Sequence, residues 1–283
     1  MNLVQSLHAA LDHPEALWLA ITNLGSDNAL IVIVALYYWL VNPRGGRQLG
    51  LAFAVSYLLN TVLKLALNEP RPFFSAPGLA SNAAKQTAGG PGLPSGHAQL
   101  AASLWGGMAL QLRRPWFWWV AGLVALFIGV SRVVLGVHFL SDVVVGWLLG
   151  AAAVATLIRL RYPTNGVTWW AVPVVAVVLA VFLPAYASGL GLLAGFWLTR
   201  LVFGAPRTWA ARVGVAVVGL VLVFATFLIF EVVPRDLRHT GIVTAVRYGL
   251  TVLMATEWVP RILRVWFSPV VDAPPVTTGR QPV

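Results

Sequence analysis

Apolar residues run through this chain in long blocks separated by short polar breaks. Several blocks approach or exceed the roughly 18 to 20 residues that a helix needs to cross a bilayer, notably 118 to 135, 139 to 158, 168 to 187 and 211 to 233. Taken between the polar breaks, the blocks predict nine candidate spans: 29 to 42, 47 to 67, 97 to 112, 116 to 135, 138 to 158, 168 to 187, 189 to 203, 210 to 232 and 239 to 259. The expected architecture is all-α, a polytopic membrane helix bundle of about nine spans.

Residues 1–28 read as an N-terminal interfacial segment, in which Val4, Leu7 and Leu11 share one side of a short amphipathic helix. Residues 29–162 carry every polar motif described below, and residues 163–268 add further apolar helices. Residues 269–283 are Pro- and Thr-rich without periodicity and are expected to be disordered. Two pairs of small residues four apart, Gly146 with Gly150 and Gly191 with Gly195, predict close helix packing within the chain.

Composition supports the membrane reading. Of the 283 residues, 59% are hydrophobic and 10% charged, against about 25% charged in a soluble protein. The formal charge of +10 raises the question of nucleic acid, but the basic residues form short clusters between apolar blocks and no continuous stripe. No nucleic-acid partner is expected. The absence of cysteine removes disulfide and thiol chemistry, and five His with nine acids leave a short list for any catalytic set. The first 27 residues hold Asp12, Glu15 and Asp27 but no Lys or Arg, so they do not read as a secretory leader.

Basic residues in short loops are retained on the cytoplasmic side. With the N-terminus outside, Arg44, Arg47, Arg113, Arg114, Arg159, Arg161, Arg200, Arg207, Arg212, Arg261, Arg264 and Arg280 all fall inside. The outside then keeps Lys64, Arg71, Lys85, Arg132, Arg235 and Arg238. Trp116, Trp118, Trp119, Trp169, Trp170, Trp209, Trp258 and Trp266 lie near the inner ends as interfacial anchors. An odd number of spans, N-out and C-in, follows.

Three segments place polar residues where a membrane protein ordinarily avoids them, and alternating topology brings all three to the outer face. They are Lys64 to Pro72, Pro94 to His97, and Ser131 to Asp142. Lys64, Arg71 and Arg132 supply three cations, the arginines as bidentate forks and the lysine as a point charge. Ser95 and Gly96, opening a helix, add a hydroxyl, backbone N–H groups and the positive end of the helix dipole. Together these suit an anion with several oxygens, and phosphate above all.

His138 and Asp142 are four apart, so on a helix the carboxylate can hold one imidazole nitrogen and leave the other to attack. His97, arriving from another helix, is placed to protonate a leaving oxygen. A metal held by His97, His138 and Asp142 is the rival reading. Three nearby cations and the scarcity of acids argue against it, so neither metal nor other cofactor is expected.

These residues carry a resemblance. The pattern K-x6-RP, PSGH and SR-x5-H-x3-D is present in full as Lys64, Arg71 and Pro72, then Pro94 to His97, then Ser131, Arg132, His138 and Asp142. In this the chain resembles the type 2 phosphatidic acid phosphatase superfamily, which also includes glucose-6-phosphatase and the vanadium haloperoxidases. The resemblance implies a metal-independent phosphatase in which His138 becomes a phosphohistidine, Asp142 orients it and His97 protonates the leaving group. Lys64, Arg71, Arg132, Ser95 and Gly96 would bind the phosphate. It also implies a site facing the periplasm, the extracellular side or an organelle lumen.

Substrate is less legible. A site at the membrane surface favours a lipid phosphate or diphosphate received laterally, such as phosphatidic acid, phosphatidylglycerophosphate, a sphingoid phosphate or a polyprenyl diphosphate. A sugar-phosphate phosphatase resembling glucose-6-phosphatase is the alternative, and a lipid transporter or scramblase the reading from another class. Phe73 and Phe74, in the loop after Arg71, are candidates for touching an acyl or prenyl chain. Few Lys and abundant Arg, Ala, Val and Trp suggest a bacterial source, hence the inner (cytoplasmic) membrane with the site on its periplasmic side. Oligomeric state is not legible.

Overall fold

The computed structural model describes residues 4–6, 14–157, 166–200 and 203–268. The 269–283 tail, Arg159, Arg161 and most of the Leu3 to Leu11 segment lie outside them. Among the described residues the regular structure is helical, apart from one isolated antiparallel bridge between Gly204 and Ser268.

The principal helices are α1 (Glu15–Asn23), α2 (Asp27–Leu40), α3 (Pro43–Leu67), α4 (Gly96–Leu112), α5 (Pro115–Val134) and α6 (Leu140–Leu157), followed by α7 (Val167–Phe182), α8 (Ala187–Leu198), α9 (Trp209–Leu228) and α10 (Gly241–Leu253). Their ends follow local chemistry. Ser26 caps α2 by accepting from the Ala29 N–H at 3.4 Å. Asn42 caps α3 by accepting from the Gly45 N–H at 2.9 Å, with Pro43 in the first turn where no N–H is needed. Asn68 closes α3 in the left-handed region at φ 47°.

Each of the nine apolar blocks thus holds a helix, α2 through α10. Length does not make each a span. Four helical stretches, Pro43–Ser75, Pro115–Val134, Trp209–Val232 and Gly241–Ile262, are long and apolar enough to cross a membrane alone; the α1–α2 pair, bent by 48°, would make five. The expectation of about nine spans is therefore not met by length. Proline accounts for one shortfall: Pro184 disfavours helical backbone at Leu183, so α7 stops at Phe182 and α8 is left with 12 residues, about 18 Å of helix.

Packing centres on α3, which touches α2, α4, α6 and α8. Leu49, Leu51 and Phe53 of α3 share one apolar core with Leu104 of α4, Phe196 of α8 and Val252 of α10. The core therefore continues across the expected boundary between residues 162 and 163. Both small-residue pairs work inside the chain. A Cβ on Gly150 would lie 2.2 Å from the Gln99 carbonyl oxygen, and one on Gly191 would lie 2.3 Å from that of Ala245. By contrast α9 turns Val217, Val221, Phe224 and Leu228 outward, as lipid contact requires. Arg247, inside α10, donates to Glu231 at 2.8 Å, which supplies the partner that an intramembrane charge needs.

Candidate active site

The three polar segments meet beyond one end of α3. Lys64 stands in its last turn, and Arg71 precedes the short helix Pro72–Ser75. Ser95 and Gly96 open α4, Arg132 closes α5, and Asp142 lies in the first turn of α6. His138 sits in the connection between α5 and α6. That connection turns at Gly136, with φ 67°, where a Cβ would lie 2.3 Å from the Leu79 carbonyl oxygen. Lys64, Arg71, Gly96, His97, Arg132 and His138 line one cavity of about 590 Å³. Asp142 stands behind His138.

The His138 ring, 2% exposed, is held from both sides. Nδ1 faces Asp142 Oδ2 at 3.2 Å, and that oxygen also accepts from the Phe139 N–H at 3.0 Å. Nε2 lies 2.9 Å from Nη1 of Arg71. A guanidinium only donates, so Nε2 is the acceptor and the ring proton sits on Nδ1, directed at the carboxylate. Burial first, and then the charges of Arg71, Arg132 and Lys64, hold the ring well below the usual histidine pKa range. The imidazole is neutral with its unprotonated nitrogen toward the cations.

The cations are partnered by one stretch of backbone. Arg71 donates through Nε to the Gly90 carbonyl at 2.8 Å and through Nη2 to Gly89 at 2.7 Å. Lys64 donates to the Pro91 carbonyl at 2.5 Å. Arg132 donates through Nη2 to the Thr87 carbonyl at 3.0 Å, and through Nη1 to the hydroxyls of Thr22 at 2.6 Å and Thr87 at 2.8 Å. Its Nε, buried, has no partner among the described residues.

The Pro94–Gly96 turn offers less than expected, because the Ser95 N–H is already given to the Asp142 carbonyl at 3.0 Å. The Ser95 hydroxyl is buried without a partner among the described residues. Phe73 packs among Ala80, Ala84 and Val137, whereas Phe74 is exposed; only the second is free to meet a lipid chain.

Sequence reasoning missed Thr22 and Thr87, and also the support beneath the turn. Asn60 donates to Gln99 Oε1 at 2.8 Å, Gln99 donates to the Ser56 carbonyl at 2.9 Å, and Ser56 and Ser103 share a hydrogen bond at 2.8 Å. The available signal was the presence of amides in otherwise apolar helices, one turn before Lys64 and two residues after His97. Buried amides survive there only when fully bonded. Among the described residues no three His, Asp or Glu side chains gather so as to hold a metal ion.

A family model described as PAP2 superfamily matches residues 45–166. Phosphatidylglycerophosphatase B of Bacillus subtilis (strain 168) is 30% identical over 171 residues, covering 53% of this chain and 80% of that protein. Undecaprenyl-diphosphatase of Sulfolobus acidocaldarius is 31% identical over 133 residues, covering 46% of this chain and 63% of that protein. Glucose-6-phosphatase 3 of Rattus norvegicus is 31% identical over 182 residues, covering 52% of this chain and 51% of that protein. The chain thus spans about half the length of that last relative. No solved structure matches it. Apolar helices, site and likeness together define a membrane phosphatase. Its family is the PAP2 superfamily, to which the chain belongs.

Proposed function

We propose that the protein hydrolyses a phosphomonoester or diphosphate of a lipid through a phosphohistidine on His138, at the extracytoplasmic face of the membrane. The observation that carries this reading is the orientation of His138, with Nδ1–H toward Asp142 and Nε2 unprotonated at the cavity. Nε2 attacks phosphorus, forming the N–P bond as the ester P–O bond breaks. His97, in its protonated form, gives its proton to the departing oxygen. Water then attacks phosphorus while neutral His97 takes a proton from it; the N–P bond breaks and phosphate leaves. Asp142 keeps the ring tautomer and stabilises the imidazolium side of each step. Lys64, Arg71 and Arg132 bind the phosphate oxygens and offset charge in the transition state. No metal enters the scheme.

An N-terminus outside the membrane agrees with the placement of charge along α3. Arg44 begins that helix and lies with Arg113 and Trp118 about a shared groove, whereas Lys64 lies twenty residues further on, about 30 Å away and so one hydrocarbon thickness. A bacterial inner membrane and a periplasmic site complete the reading.

Purified protein in excess EDTA, offered phosphatidic acid, phosphatidylglycerophosphate, a polyprenyl diphosphate and glucose 6-phosphate beside a His138→Ala control, tests it. Phosphate release that needs His138, with radiolabelled phosphate recovered on the protein as an acid-labile, base-stable adduct, is the expected result. Hydrolysis that survives in the variant, or that EDTA abolishes, overturns the mechanism. Release from glucose 6-phosphate alone assigns a sugar-phosphate phosphatase, and release from none favours transport.

A further inference from the structure

The cavity that holds the cations has a second pole whose chemistry phosphoryl transfer does not use. Tyr57, Asn60, Thr61 and Lys64 line it along one face of α3. Tyr57 is two turns before Lys64, about 10 Å along the helix axis. There the Tyr57 hydroxyl donates to Asp27 Oδ2 at 3.3 Å. Tyr248, from α10, lines the same cavity. Asp27 makes no ion pair among the described residues.

A carboxylate facing this cavity does not serve phosphate, because like charges repel. It does serve a neutral donor. Leu100 is the one aliphatic side chain among the described residues that line the cavity, so a hydrocarbon leaving group would find little apolar wall and would leave Asp27 and the phenols facing carbon.

We propose that Asp27, Tyr57 and Tyr248 form a leaving-group subsite that recognises hydroxyl groups. The preferred ester then has a hydroxylated alcohol next to its phosphate: a glycerol headgroup on a lipid, or a free sugar phosphate. A hydroxyl of the alcohol donates to Asp27 and accepts from Tyr248 while the phosphate sits among Lys64, Arg71 and Arg132. The inference rests on the phosphatase reading of the site and narrows it away from phosphatidic acid and polyprenyl diphosphates.

Two matched substrate pairs test it. In detergent micelles the lipid pair is phosphatidylglycerophosphate against phosphatidic acid, and the soluble pair is glucose 6-phosphate against phenyl phosphate. Within at least one pair the hydroxylated ester should show the higher kcat/KM. In that pair Asp27→Asn should lower the ratio of the two values about tenfold or more, the loss expected for one hydrogen bond to a charged group. Tyr248→Phe should lower it in the same direction. A preference confined to the lipid pair identifies a headgroup, and one confined to the soluble pair identifies a free sugar phosphate. No preference in either pair, or a ratio that Asp27→Asn leaves unchanged, overturns the subsite. Binding is read separately in His138→Ala protein, by calorimetry with glycerol 3-phosphate and with ethyl phosphate. Tighter glycerol 3-phosphate binding that Asp27→Asn removes supports the subsite even if no ester is cleaved; equal binding counts against it.

Discussion

Nη1 of Arg71 stands 2.9 Å from Nε2 of His138 and gives a second hydrogen bond to the Val137 carbonyl at 2.9 Å. The arginine therefore does two things at once: it presents charge to the cavity and it fixes which histidine nitrogen is unprotonated. A lysine at this position keeps the charge and loses the fork. Arg71→Lys should lower kcat/KM about a hundredfold, since both the bidentate grip and the ring contact go. Steady-state kinetics beside a melting curve check this. Near-normal turnover would show that the contact has no functional role.

Protonation of His138 is also open to measurement. Burial and three neighbouring cations oppose a charge on the ring. Its nitrogen resonances, followed by NMR in histidine-labelled protein, should show the neutral Nδ1–H form down through pH 6.5, the ordinary histidine midpoint. Removing one cation in Arg71→Gln raises the pKa, because a like charge no longer opposes protonation. A midpoint at or above the ordinary value in the unaltered protein would contradict the geometry.

Glycine contacts predict stability. At Gly150 an added Cβ meets the Gln99 backbone oxygen at 2.2 Å, whereas at Gly122 it meets nothing within 4 Å. Gly150→Ala should therefore cost about 1–3 kcal/mol through forced separation of α4 and α6. Gly122→Ala should be neutral or slightly stabilising, because it removes a flexible residue from a helix. Thermal unfolding in detergent compares them; equal shifts would refute the packing argument.

The chain has no cysteine, so single cysteines report topology directly. Asn82 and Arg113 are exposed and belong to connections at opposite ends of the bundle. In sealed vesicles an impermeant maleimide added outside should label Asn82→Cys in right-side-out preparations and Arg113→Cys in inverted ones. Labelling of both in one preparation would end the proposed orientation.

Much of this was written in the chain. The nine helical blocks, the intramolecular use of Gly150 and Gly191 and the meeting of three polar segments all follow from local pattern. What pattern does not carry is contact across long separations. Thr22 reaches Arg132 over 110 residues of chain because α1 bends away from α2 and packs along α5. Nothing in the N-terminal segment marked it as part of the site. Asp27 likewise looked only like an acid near the start of the chain, and its place beside Tyr57 depends on how α2 meets α3. Helix length is a separate matter: hydropathy finds apolar blocks, but Pro184 and the loop geometry decide how many residues of each block remain helical.

The backbone between Thr87 and Gly92 gives the three cations their carbonyl partners, and this has a kinetic consequence. An anion entering among these donors exchanges one set of hydrogen bonds for another, so it binds by the difference between the two sets. When inorganic phosphate is the remaining ligand, with no alcohol portion to hold it, the same carbonyls compete for every donor it uses. On the proposed phosphatase reading, the segment that stabilises the cluster before catalysis is also a built-in competitor of the product and favours release over retention.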